Sequence, residues 1–142
     1  MSLFKLLFLQ ISRSKHTSKH RTLQLGYSIA LSETGDTMAI GALFESGIGQ
    51  CAGALQFQNS SGQSSGAVYM YVRSGASWAF QEYIKACNSQ PGDQFGSAVA
   101  LSCDGNSLAV GAPSSDFGSG AVYLFERQGQ TWSQSCFFKA SN

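Results

Sequence analysis

From residue 25 onward, apolar and polar residues alternate in short runs, and no stretch sustains a 3.6-residue apolar period. In the later half the runs predict strands at Ser97–Leu101, Ser107–Ala112, Ala121–Arg127 and Ser133–Lys139. The breaks carry turn residues. Glu33-Thr34-Gly35-Asp36 and Cys103-Asp104-Gly105-Asn106 supply the Gly or Asn that a tight hairpin needs at positive φ. Ser74-Gly75-Ala76 and Gln128-Gly129-Gln130 stand before Trp78 and Trp132 in the same way.

The pattern occurs twice. Leu25–Leu43 aligns with Phe95–Pro113 at an offset of 70, and Gly66–Asn88 with Gly120–Asn142 at an offset of 54. Identities are 8 of 19 and 10 of 23 positions, with the turn residues in register, which establishes an internal repeat. The change of offset reflects an insertion: residues 44–65 in the first copy stand against 114–119 in the second.

Alternation also gives each predicted sheet two unlike faces. Tyr27, Ile29 and Leu31 oppose Ser28, Ala30 and Ser32; Val99 and Leu101 oppose Ala98 and Ala100. Met38 and Ile40 oppose Ala39 and Gly41; Leu108 and Val110 oppose Ala109 and Gly111. A bulky face and a small face suit radial stacking, bulky against small. The third strand, apolar on both faces, suits a sheet held between neighbours. The expected fold is therefore all-β: two four-stranded antiparallel blades of an incomplete β-propeller.

Composition agrees. Charged residues make up 12% of the chain, about half the usual ~25%, and 16 glycines supply turns. The net charge of +1 gives no bulk attraction to nucleic acid, and no apolar run is long enough for a membrane span. Charge is unevenly placed, however. Residues 1–24 hold Lys5, Arg13, Lys15, Lys19 and Arg21 without an acid, whereas residues 25–142 sum to −4. This first segment admits three readings: a secretory signal interrupted by Lys5, a transit peptide, or a solvated basic terminus. The expected organisation is this segment 1–24, a first repeat 25–88 with the inserted loop 44–65, and a second repeat 89–142.

Candidate chemistry is sparse. Cys51, Cys87, Cys103 and Cys136 have no metal-ligand spacing and no histidine nearby. Four cysteines permit a disulfide, but buried free thiols are the simpler expectation. Gly62-Gln63-Ser64-Ser65-Gly66 fits G-x-S-x-G, yet it lies in a loop ahead of a strand, with both histidines, His16 and His20, upstream. His16 and His20 are four residues apart but surrounded by Lys and Arg. No catalytic residue, metal ligand or cofactor site is expected. Asn59-Ser60-Ser61 is an N-glycosylation sequon in the inserted loop.

Phe95-Gly96 with Gly111-Ala112-Pro113 resembles the FG-GAP repeats of integrin α-subunit-like β-propellers. The first copy, Leu25-Gly26 and Gly41-Ala42-Leu43, is degenerate at both signatures. Many members of that family bind calcium between the first two strands of a blade. The loops here, 32–37 and 102–107, are short and poor in acids. Asp104 and Asn106 therefore read as turn formers and no calcium site is expected. The resemblance implies a non-enzymatic module for protein or ligand binding, of cell-adhesion type, at the cell surface or outside the cell.

Three functional readings follow. In the first, the inserted loop, with Phe44, Leu55 and Phe57, meets a protein partner. In the second, an accessory domain binds carbohydrate on Trp78 and Trp132, although their matched hairpin positions favour a structural role. In the third, the chain is a partial gene product without independent function. A closed propeller typically takes about 4–8 blades. Two blades leave two outer faces of roughly 400 Å² each, from strand spacings of ~4.8 Å and ~3.3 Å per residue. Self-association or pairing with further blades is expected, with Val122, Leu124, Phe125 and Phe137 as the open contacts.

Overall fold

A computed structural model describes residues 25–47, 51–53 and 63–140. The proposed N-terminal segment 1–24 lies outside the described residues. Eight strands form two four-stranded sheets, each antiparallel and in sequential order. The first holds β1 (Ser28–Leu31), β2 (Thr37–Ala42), β3 (Ala67–Ser74) and β4 (Ser77–Ile84). The second holds β5 (Ala98–Leu101), β6 (Ser107–Ala112), β7 (Ala121–Gln128) and β8 (Thr131–Lys139). A tight turn, α1 (Ser115–Gly118), joins β6 to β7, with Asp116 and Phe117 at φ of 55° and 57°. The two sheets are propeller-like blades that do not close a ring.

The register repeats with the sequence. Ile40 pairs with Tyr69 and Val110 with Tyr123, and each outer hairpin carries a bulge, between Met70 and Tyr71 and between Leu124 and Phe125. Both inner hairpins turn through an aspartate. Asp36 Oδ1 accepts the hydroxyls of Ser32, Thr34 and Thr37. Asp104 Oδ1 accepts the Ser102 hydroxyl and the Asn106 N–H. These bonds hold both carboxyls below the usual range, the Thr34 and Ser102 hydroxyls contributing most. Asn106 Oδ1 in turn accepts from Arg127 Nε. The hydroxyls and N–H groups that close the turn occupy these oxygens.

Packing between the blades is bulky on small. Ala30 and Ala39 of blade 1 cluster with Val99, Leu101, Leu108 and Val110 of blade 2. Phe95, fully buried, joins them edge-on to Tyr123 and Phe125, with ring centroids 5.5 and 5.9 Å apart. Burying a side chain of that size contributes about 1.5–3 kcal/mol. Gly96 follows at φ 90°, a conformation that L side chains rarely adopt. Its carbonyl lies against Gly41 and accepts the Ser28 hydroxyl at 2.7 Å. Without a β-carbon at 41 or 96, the two chains approach to backbone contact.

Three expectations need correction. Phe125 is not an open contact. It shares a face with Tyr123, and that face looks onto blade 1. Val122 and Phe137 are exposed as expected, with Phe138 beside them, and Leu124 is half-buried. The cysteines are not buried thiols: Cys51 and Cys87 form a disulfide, and Cys103 and Cys136 are exposed. β7 is covered on one face only, so Val122 is open where its counterpart Val68 is buried.

Candidate functional site

The β2–β3 connection separates the two copies most, and its described parts are fastened to blade 1 at three places. Its ends meet: Gly66 N donates to Glu45 O at 2.9 Å, and Ser64 N donates to Ser46 Oγ. Its middle runs along the edge of β4. Cys51 N donates to Ala86 O, Lys85 N to Cys51 O, and Gly53 N to Tyr83 O, with Ala52 bridged to Ile84. The Cys51–Cys87 disulfide locks this edge. The connection therefore caps an edge strand that would otherwise present unpaired backbone groups.

Beneath the joined ends lies a buried polar cluster. Lys85 Nζ donates to Ser65 Oγ at 2.7 Å and to Gly66 O at 2.8 Å, and stands 5.9 Å from the Tyr83 ring centre. Glu45 Oε2 accepts from Tyr69 Oη and Oε1 from Gly47 N. Burial pulls the Lys85 ammonium down to about 8, against the upward pull of Glu45 and Asp93. Burial also pushes the Tyr69 and Tyr83 phenols above the usual tyrosine range, and the Glu45 charge adds to both. Tyr83 Oη is buried without a hydrogen-bond partner among the described residues.

Ser65 and Lys85 together resemble a serine–lysine dyad, and Ser64 takes φ 53°. Both dyad side chains are buried, and Lys85 spends a second donor on the Gly66 carbonyl. The pair secures the base of the connection. Blade 2 makes the same arrangement with different means: Lys139 Nζ lies 2.9 Å from Asp116 Oδ2 and 5.8 Å from the Phe137 ring centre.

Of the residues singled out from sequence, Phe44 is half-buried at the start of the connection. Leu55, Phe57 and the sequon asparagine Asn59 lie outside the described residues. Trp132 is buried between the blades, its N–H donating to Glu82 Oε2 at 2.8 Å and its Nε1 to Gln81 Oε1 at 2.9 Å. It therefore presents no face to a sugar. Trp78 is half-buried, with the Arg73 guanidinium 5.9 Å from its ring centre. The Lys85 cluster was not anticipated. Its signal was the recurrence of Lys85-Ala86 as Lys139-Ala140 behind a recurring Gly-Ala-Val-Tyr. No helix among the described residues is long and apolar enough to cross a membrane.

Doubled four-stranded blades, joined by a buried Phe-Gly element, define a β-propeller-type repeat. Residues 78–125 match the family model of the FG-GAP repeat, so the chain carries an FG-GAP repeat over that span. The match starts on β4 of blade 1 and ends on β7 of blade 2, enclosing the junction through Phe95-Gly96. No curated protein matches the chain.

Proposed function

We propose that this protein is a non-catalytic interaction module whose recognition surface is the connection 44–65, acting at the cell surface or outside the cell on a protein partner. The observation that carries this reading is the fastening of the connection to blade 1 by Cys51–Cys87. Structural disulfides belong to oxidising compartments. Holding a long loop on a rigid sheet lowers the ordering cost of binding. Phe44, Leu55 and Phe57 supply its apolar contacts, and a glycan at Asn59 would suit the same setting.

The test replaces residues 44–65 with the sequence of 114–119, together with Cys87→Ser. The graft brings an aspartate equivalent to Asp116 to the Lys85 ammonium, so the base of the blade keeps a carboxylate. Binding of the full chain to an array of purified extracellular proteins and glycans is expected, and the graft loses it. A folded graft that binds as the full chain does overturns the assignment to this loop. Signals confined to glycans overturn the choice of a protein partner.

A further inference from the structure

Blade 2 has no counterpart of the connection 44–65, and the residues equivalent to those beneath it stand open. Phe137, the equivalent of Tyr83, is 46% exposed, whereas Tyr83 is 3% exposed. Lys139, the equivalent of Lys85, keeps 34% of its side chain exposed, whereas Lys85 is 1% exposed. The two blade 1 residues lie where the described parts of the connection cross the end of β4. Gly53 N donates to Tyr83 O, Lys85 N donates to Cys51 O, and Ser65 and Gly66 accept from Lys85 Nζ. The repeated sheet leaves this position open to water, and the connection closes it.

The groups beneath it are poorly compensated. An ammonium has three hydrogens to donate, and Lys85 Nζ has two acceptors, both uncharged. Lys85 has no ion-pair partner among the described residues, and the rest of the chain contains no Asp or Glu. The carboxylates nearby are engaged elsewhere: Glu45 accepts from Tyr69 Oη and Gly47 N, and Asp93 Oδ2 accepts from Gln90 N. Tyr83 Oη has no hydrogen-bond partner among the described residues. A buried charge without an ion pair and a buried hydroxyl without a bond both favour an arrangement open to water. Against them, the backbone bonds at Cys51 are long. Cys51 N stands 3.4 Å from Ala86 O, and Lys85 N stands 3.3 Å from Cys51 O. The covalent tie is Cys51–Cys87, and both its cysteines are half-exposed, within reach of a thiol in solution.

We infer that Cys51–Cys87 is a redox latch: a dithiol reductant that opens it releases Cys51–Gly53 from the edge of β4 and gives Lys85 and Tyr83 to water. A thiolate of the reductant attacks one sulfur of the disulfide, and the other cysteine leaves as a thiolate. The second thiol of the reductant, as its thiolate, then displaces the first cysteine. Two electrons and two protons pass to the protein, which ends with two thiols, and the reductant ends as its own disulfide. Oxidation by a small disulfide reverses each step. The sheet of blade 1 keeps its ladders in both states, because the strap lies outside β1–β4. The oxidised, closed state is the one an oxidising compartment maintains. The latch stands whether or not the connection binds a partner.

The experiment compares the oxidised full chain with the chain reduced by dithiothreitol, and with the Cys51→Ser, Cys87→Ser variant, which is unlatched without a reductant. Brief acetylation with acetic anhydride, read residue by residue by mass spectrometry, reports Lys85 against Lys139 in the same molecule. In the oxidised chain Lys85 is expected to react at least about tenfold more slowly than Lys139, and in both unlatched forms within about threefold of it. Hydrogen exchange at the Lys85 and Gly53 amides is expected to quicken by at least about tenfold, while the amides of β2 and β3 keep their protection. Reduced Lys85→Met is expected to hold the Gly53 amide protected, because the buried charge that favours opening is gone. Lys85 unreactive and Gly53 protected in both unlatched forms overturns the proposal. So does loss of protection in β2 and β3 together with the strap, which would make the disulfide a staple of the whole blade. Reduced Lys85→Met that opens as fully as the reduced parent overturns the role of the buried ammonium.

Discussion

Gly41 lies so close to the carbonyl of Gly96 that a β-carbon at 41 would overlap it. At the equivalent Gly111 the nearest atom to such a carbon is Ala98 Cβ at 3.5 Å, an ordinary contact. The same substitution therefore separates the inner junction from the outer face. Gly41→Ala is expected to cost about 1–3 kcal/mol through overpacking. Gly111→Ala should stay within about 0.5 kcal/mol. Urea unfolding of dilute protein followed by fluorescence gives both values. Equal losses would show that the junction is not backbone-tight.

The disulfide should carry a large part of the stability of blade 1. A crosslink across a separation of 36 residues contributes about 3–4 kcal/mol on the chain-entropy relation. The Cys51→Ser, Cys87→Ser double variant is expected to lose stability of that order in urea unfolding. Thiol titration of the denatured chain should find Cys103 and Cys136 before reduction and all four cysteines after it.

Stability should rise with pH on the alkaline side and then fall. The buried Lys85 binds its proton up to about pH 8 in the folded chain, against 10.5 for an ordinary lysine. Between those values the unfolded chain holds more protons, so raising the pH favours the fold. Below about 8 the cost of burying the ammonium is present in full, although Glu45 and Asp93 reduce it. The buried phenols of Tyr69 and Tyr83 act in the opposite sense. They stay protonated above the ordinary tyrosine value of 10.0, where unfolded tyrosines ionise, so stability declines there. Lys85→Met is expected to remove the rising limb and leave the falling one. Urea midpoints measured in steps across the alkaline range check both limbs.

The two tryptophans, equivalent in sequence, should differ in effect. Trp132→Ala removes a buried indole from the blade contact and is expected to cost about 3–5 kcal/mol. Trp132→Phe keeps most of the packing and loses the Nε1 bond to Gln81, at about 1 kcal/mol. Trp78→Ala, on the half-buried hairpin beside Arg73, should cost about 1–2 kcal/mol. The emission of the Trp78→Ala variant, which reports Trp132 alone, should be blue-shifted relative to that of Trp132→Ala.

The strands, their doubling and their turns were legible in the sequence because each depends on neighbours within a few residues. Alternation with period two separates Ala39 and Gly41 from Met38 and Ile40 wherever the strand lies. An Asx residue beside glycine closes its own hairpin at Asp36 and Asp104. Even the bulky-on-small contact of Val99 and Leu101 with Ala30 and Ala39 follows from the faces of single strands. What the tertiary structure decided depends on residues far apart along the chain. Phe125 looks equally apolar to either side, and only the position of blade 1 turns it inward while Val122 stays open. Cys51 and Cys87 carry no pairing signal until the connection is laid along β4. Lys85 and Lys139 stand in nearly the same local sequence, yet one is buried and the other pairs with an exposed aspartate. The difference arises because Ser65, Gly66 and Asp93 are brought to Lys85 from other elements. Local pattern thus specifies which surfaces exist, and long-range packing specifies which of them are covered.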